Sequence, residues 1–258
     1  MHVKDLFKIE GKIALITGGG AGLGAQMATA LAEAGADVAL AARKIERCEA
    51  AAEKIRGETG VKTMALRCDV ADPDEVKSMV DSVLRKFGRI DILVNNSGTN
   101  WGEPAADYAL KGWKKVMDVN LNGTFFCCQT AGRAMIRQGS GTIINVASVA
   151  GMRGFEPEKM DAVAYPASKA AVINLTRDLA AKWARYNIRV NAIAPGWFPT
   201  DMTTWTMQDH GNLIVNGIPM RRIGKDYELK GAVLFLASEA SSFVTGHTLC
   251  VDGGESAI

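Results

Sequence analysis

A doubly wound α/β fold, one seven-stranded parallel sheet with helices on both faces, is predicted for this chain by three observations. Seven short runs are apolar at nearly every position and rich in β-branched residues, as strands buried on both faces must be. Stretches of ten or more residues with helical patterning separate them, the length a parallel crossover requires. Glycine clusters directly after the first run, where a strand hands over to a helix.

The first strand, KIALITG at 12–18, leads into the helical stretch 22–34, which Gly35 caps. DVALAAR at 37–43 and TMALRCDV at 63–70 are the second and third strands. Asp72-Pro73 opens the next helix, since proline in a first turn has no N–H left to satisfy, and Phe87-Gly88 ends it. IDILVNNSG at 90–98, GTIINVAS at 141–148, IRVNAIAPG at 188–196 and TLCVDGG at 248–254 complete the set. No Pro/Gly/Ser-rich linker or internal repeat interrupts them, so 1–258 is read as a single domain. The stretch 197–225 breaks the rhythm. It holds Trp197, Met202, Trp205, Met207, Ile214, Ile218 and Met220, too apolar for a solvated linker, and is read as a lid over a ligand in preference to a core or subunit-contact helix.

With 30 Lys and Arg against 28 Asp and Glu the net charge is +2, and no block of like charge forms the footprint of a nucleic-acid or anionic-membrane binder. The amino terminus, MHVKDLFKIEGK, carries charges throughout and lacks the apolar run of a signal peptide, and no segment is long enough to cross a bilayer. A soluble, cytoplasmic protein is expected. Cys48, Cys68, Cys127, Cys128 and Cys250 show no C-x-x-C spacing and are expected to be reduced and mostly buried. His2, His210 and His247 form no metal-ligand pattern, so no catalytic metal is expected.

TGGGAGLG at 17–24 has the composition of a dinucleotide site. β-Carbons there would hold the backbone away from a pyrophosphate, and the unpaired N–H groups at the start of the following helix face the anion. The spacing Gly18-x-x-x-Gly22-x-Gly24 after Thr17 resembles the fingerprint of the short-chain dehydrogenase/reductase family, which has a Rossmann fold. NNSG at 95–98 is similar to the family's Asn-Asn-Ala-Gly, Asp69-Val70 to the pair that meets adenine, and Pro195-Gly196 with Thr200 to the segment that touches the nicotinamide carboxamide. The resemblance extends from residue 12 to Gly254. It implies that Gly18, Gly20, Ala21, Gly22, Leu23, Arg43, Asp69, Val70, Asn96, Gly98, Gly196, Phe198 and Thr200 bind a nicotinamide cofactor, together with Tyr165 and Lys169.

Tyr165-Pro166-Ala167-Ser168-Lys169 puts Tyr165 and Lys169 four apart on one helix face, and Ser148 ends the preceding strand at the carboxyl edge of the sheet. These residue types suit interconversion of a ketone and a secondary alcohol. An alcohol gives up hydride only if its hydroxyl proton leaves too, and free tyrosine, with a pKa of about 10, is a poor base at neutral pH. A lysine ammonium ~4 Å away contributes on the order of 4 kcal/mol at an effective dielectric constant of about 20, enough to lower that pKa by up to about three units. Lys169 is thus expected to tune Tyr165, while the Ser148 hydroxyl donates to the carbonyl oxygen as charge develops there. The resemblance adds Asn120, within VNLNG at 119–123, to hold a water linking Lys169 to solvent; the residues by themselves leave Asn122 an equal candidate.

Family members that prefer NAD carry an acidic residue at the end of the second strand. Here Ala42 is followed by Arg43, whose guanidinium suits a 2′-phosphate, so NADP(H) is favoured over NAD(H). Asn100, Trp101, Val149, Ala150, Met152, Phe155, Trp197, Met202 and Trp205 follow family segments that line the substrate pocket. Ser148, Trp101, Phe155, Trp197 and Trp205 are the substrate-binding candidates, and FEPEKMDA at 155–162 lengthens the loop before Tyr165. Family members that reduce carrier-bound 3-oxoacyl groups carry docking cations at the positions aligned with Gly139 and Tyr186; neither is basic here, with Arg137 and Arg185 nearby. A free small molecule such as a sugar acid is therefore preferred to a 3-oxoacyl thioester, and the complete catalytic set argues against a non-catalytic dinucleotide-binding regulator. The family further implies a homotetramer built on helices at about 108–138 and 162–185.

Overall fold

The computed structural model describes residues 2–258, apart from the Trp205 side chain. Among these residues, strands and helices alternate as β1 (Ile13–Thr17), α1 (Gly22–Glu33), β2 (Asp37–Ala42), α2 (Ile45–Thr59), β3 (Thr63–Arg67), α3 (Pro73–Phe87) and β4 (Ile92–Asn95). The second half follows with α4 (Leu110–Met117), α5 (Gly123–Gln138), β5 (Gly141–Val146), α6 (Ala164–Trp183), β6 (Ile188–Pro195), α7 (Thr204–Gly217), α8 (Lys230–Ala237) and β7 (Thr248–Val251). All seven strands lie within the runs read from the sequence. Asp72 caps α3 as expected, its carboxylate accepting from the N–H groups of Asp74 and Glu75.

The strands form one parallel sheet in the order β3-β2-β1-β4-β5-β6-β7. Alternation along each strand divides the core into two layers. Ala14 and Ile16 of β1 with Val38 and Leu40 of β2 pack beneath α1, α2 and α8. Their neighbours Ile13, Leu15, Ala39 and Ala41 pack beneath α3, α5 and α6. Both faces are therefore dry, which is why the strand sequences are apolar at successive positions rather than alternately.

The chain winds outward from β1 to β3, then crosses back to place β4 on the other side of β1. At this reversal Thr17 pairs with Asn95, so the two following loops leave the sheet in divergent directions and open a crevice at its carboxyl edge. Ser148 lies two residues beyond the end of β5, capping a short 3-10 turn at Val149–Gly151, rather than ending the strand itself. In 197–225, Trp197, Ile214 and Ile218 form a small apolar cluster with Met160, Met207 and Ile223, separate from both sheet layers. All five cysteines are free thiols, four of them buried. Among the described residues no helix is long and apolar enough to cross a membrane.

Candidate active site

The glycines after β1 are required by close approaches. Gly18 has φ +63°, and a β-carbon on it would lie 2.7 Å from Asn96 Nδ2, while one on Gly24 would overlap the Gly18 carbonyl oxygen. Asn96 fixes the turn from the other side of the crevice, Nδ2 donating to the carbonyls of Thr17 and Gly18 at 3.2 and 3.1 Å. No side chain caps the start of α1 at Ala21, leaving its first N–H groups directed at the crevice. This bare, positively polarised cradle fits a pyrophosphate.

From the cradle one cleft extends in two directions. Toward α2 it opens into a groove of about 660 Å³ walled by Ala42, Arg43, Lys44, Arg47, Asp69 and Val70. Toward α6 it narrows to about 260 Å³ between Leu23, Asn96, Gly98, Ser148, Tyr165, Lys169, Gly196, Phe198 and Thr200. Gly18, Ala21, Gly98 and Asp201 border both parts, Gly22 borders the narrow part, and Gly20 borders the groove. Thus every residue that the sequence suggested for cofactor binding faces this cleft. Beyond Ser148 and Tyr165 lies a chamber of about 470 Å³, whose walls include Asn100, Phe155, Trp197, Met202 and Thr206.

Tyr165 is the second residue of α6, and Lys169 follows one turn later. The Lys169 ammonium is almost wholly buried, donates to the Val146 carbonyl at 2.7 Å, and stands 5.6 Å from the centre of the Tyr165 ring. The turn carrying Ser148 packs onto this helix so tightly that a β-carbon on Gly151 would come within 2.6 Å of the Ala170 nitrogen. Ser148 Oγ itself accepts from the Ala150 N–H at 3.1 Å. Asn120 sits in a π-helical turn, Asp118–Asn122, between α4 and α5. Such turns widen a helix and re-aim its side chains. Its Oδ1 accepts from Thr99 N–H at 2.8 Å and its Nδ2 donates to Ser168 Oγ at 3.0 Å. Asn122 instead donates to the exposed Asp118 carboxylate, whereas Asn120 is wholly buried.

Electrostatics here depart from the expectation. Burial pushes the Tyr165 hydroxyl above its usual value, with the Ser148 hydroxyl pulling it partly back, and burial lowers Lys169 to about 8. Desolvation penalises both charged forms, with the ammonium 5.6 Å from the ring centre.

Two pocket expectations also change, Met152 standing exposed beside Cys250 instead of on the chamber wall and Trp101 likewise turned away. Trp101 does not line the chamber. Its indole packs over Gly112 and donates to Glu103 at 3.0 Å, turned toward α4 with Lys115 against its face. The Trp205 side chain lies outside the described residues. Trp197 is a chamber wall held from behind, its Nε1 donating at 3.3 Å to Glu255, a buried carboxyl that desolvation pushes upward. Sequence reasoning missed Arg47 and Asp201, which form a 2.8 Å ion pair across the groove. Arg47 lies in the first turn of α2, four residues after Arg43, a nearness that could have drawn attention to it; its partner is 154 residues away.

Residues 18–256 match the family described as enoyl-(acyl carrier protein) reductase. The chain is 41% identical over 255 residues to the 2-dehydro-3-deoxy-D-gluconate 5-dehydrogenase of Dickeya dadantii, covering 98% of each. It belongs to the short-chain dehydrogenase/reductase family. As a member, it is an NAD(P)-dependent oxidoreductase acting on CH–OH groups. A 3-oxoacyl-[acyl-carrier-protein] reductase of Staphylococcus aureus is also 41% identical, over 244 residues, covering 94% of this chain and 97% of that one. The crystal structure of a gluconate 5-dehydrogenase from Burkholderia cenocepacia in complex with NADP and tartrate is 38% identical, with a TM-score of 0.93 and full coverage of both chains. Among short-chain dehydrogenases/reductases, then, this chain is similar both to sugar-acid enzymes and to an acyl-carrier enzyme.

Proposed function

We propose that this protein is an NADP(H)-dependent enzyme interconverting the ketone and secondary alcohol of a small hydroxy acid, with Tyr165 as the proton-transferring group. The observation that carries this reading is the continuity of the cleft. It leads from the basic groove at Arg43 and Arg47, past the cradle at Gly18–Gly22, to the wall formed by Ser148, Tyr165 and Lys169, and then into the chamber. The bound nicotinamide would supply or accept the hydride at that wall. Ser148 orients the substrate oxygen, and Tyr165 takes the hydroxyl proton in oxidation or returns it in reduction. Lys169 holds positive charge beside the ring, and Asn120 positions a path for the proton to solvent. The relatives acting on sugar acids, together with Gly139 and Tyr186 in place of docking cations, favour a free hydroxy acid over a carrier-bound acyl group.

The segment 197–225 acts in this reading as a lid over the chamber, with Trp197 and the start of α7 on its inner side. The protein would work in the cytoplasm as a homotetramer, with exposed Leu110, Trp113 and Phe125 of α4 and α5 covered by neighbouring copies. Sedimentation at micromolar concentration should give four times the chain mass, and a monomer would overturn this assembly. An initial-rate screen of polyhydroxy acids, neutral polyols and 3-oxoacyl thioesters with both cofactors tests the activity itself. Turnover of thioesters in preference to hydroxy acids would replace the substrate class.

Two further results are expected. Lys169→Ala should lower both turnover and cofactor affinity by roughly tenfold or more, because one buried ammonium serves the tyrosine and the cofactor together. Unchanged cofactor affinity in a fluorescence titration would move Lys169 out of this role. The Tyr165–Lys169 pair must also lose a proton before it can accept one from an alcohol. Oxidation should therefore rise with pH and reduction fall, with midpoints tracking the buried Lys169 value of about 8. Matching pH profiles in the two directions would contradict this assignment.

A further inference from the structure

The chamber beyond Tyr165 has a polar wall that the reaction at Ser148 and Tyr165 does not use. Its floor is the long loop before α6, and its roof is α7 with its N-cap, which together turn Thr203, Thr206 and His210 inward. These three lie at positions i, i+3 and i+7, one face of a helix. The helix kinks at His210, where φ is −128° and ψ 17°, and Gly211 follows. Among the described residues lining the chamber, Lys159 is the one lysine or arginine. Its side chain is only 17% exposed and is pinned against the end of α7, Nζ lying 3.7 Å from where a β-carbon on Gly217 would stand.

In this structure the Lys159 ammonium pairs at 3.0 Å with Glu156, whose carboxylate is 69% exposed. A partner so open to solvent holds its cation weakly and is readily exchanged. Three acids border the chamber itself, Glu156 not among them. Glu103 is turned into the wall, where its Oε2 accepts from Trp101 Nε1 and the Ala109 N–H at 3.0 and 2.8 Å. Glu158 is exposed and Asp161 half-buried, which leaves them as acceptors for ligand hydroxyls.

We propose that Lys159 is the carboxylate-recognising residue of the substrate chamber, selecting hydroxy and keto acids over neutral polyols and ketones. The inference rests on the hydroxy-acid reading above and gives it a residue. The extended loop brings Lys159 to the chamber wall, and its ammonium turns from Glu156, which lies outside the chamber lining, to a substrate carboxylate inside, a better desolvated position where a charge-assisted bond is stronger. Asp161, Glu158 and Thr206 then meet the hydroxyls of the chain while its carbinol carbon rests at Tyr165.

The probes are D-gluconate and D-glucitol, six-carbon chains that differ in carboxylate against CH2OH, titrated calorimetrically into the NADPH-loaded protein, where neither alcohol can be oxidised. Wild type should bind gluconate at least tenfold more tightly than glucitol. Lys159→Met should weaken gluconate by about ten- to a hundredfold, the range of one charge-assisted hydrogen bond, and leave glucitol and NADP binding within about twofold. Lys159→Arg should restore gluconate to within a few-fold of wild type, which a merely structural lysine would not predict. If wild type prefers gluconate and Lys159→Met keeps that preference, the assignment of Lys159 falls while the hydroxy-acid reading stands. If wild type binds gluconate no better than glucitol, or binds neither, the hydroxy-acid reading falls and Lys159 falls with it.

Discussion

Tyr165→Phe is expected to lower turnover at least about a hundredfold in both directions, the lower end of what a positioned general acid or base contributes. The ring should stay where it is, because it belongs to the first turn of α6 and the Ser148 turn packs on the same helix. What disappears is the hydroxyl to which the proposed mechanism assigns proton exchange with the substrate oxygen. Cofactor affinity should therefore be retained, and so should the melting temperature, since no buried apolar contact is removed. In the variant kcat and kcat/KM should fall together, the pattern of an interaction made in the transition state. Retained turnover would mean that another group moves the proton. A loss of cofactor binding would mean that the ring, not the hydroxyl, is the working part.

The second large effect concerns the cofactor's far end. Wild type should prefer NADPH to NADH by about ten- to a hundredfold in apparent affinity, the value of one charge-assisted hydrogen bond to a 2′-phosphate. Arg43→Ala should remove most of that preference. Arg47 and Lys44 border the same groove, and Arg47 is tied to Asp201 rather than free, so a residue of selectivity should survive until Arg47 is also replaced. Ala42→Asp should go further and invert the preference, because a carboxylate at the end of β2 accepts from ribose hydroxyls and repels phosphate. Initial rates with both cofactors at one ionic strength decide the matter, since salt screens exposed charges. Equal use of NADH by the wild type would reduce Arg43 to a solvated surface charge.

The strands were legible because burial on both faces writes itself into every position of a strand. Leu15 and Ile16 face opposite layers and both must be apolar. Helix ends at Asp72 and Gly88 were legible because capping is local chemistry. The cleft residues Gly18, Tyr165 and Lys169 were legible because their spacing is short and fixed by a turn or one helical face. Less was visible where segments distant in sequence converge. Nothing in the sequence tells that Asp201 reaches Arg47, that Lys159 and His210 share one chamber, or that Trp101 turns its ring toward Gly112. The direction of the Tyr165 shift was missed for a related reason. A lysine near a tyrosine lowers its pKa only where the attraction outweighs desolvation, and that balance depends on burial, which spacing does not report.

The central claim, hydride exchange with a cofactor coupled to proton transfer at Tyr165, is tested most directly with a hydroxy acid carrying deuterium on the reacting carbinol carbon. After single-turnover oxidation in the presence of NADP, mass spectrometry of the cofactor should find the label on the nicotinamide ring. Tyr165→Phe should form the same labelled product at least about a hundredfold more slowly. Label found in solvent instead, or formed at an undiminished rate by the variant, would contradict the account.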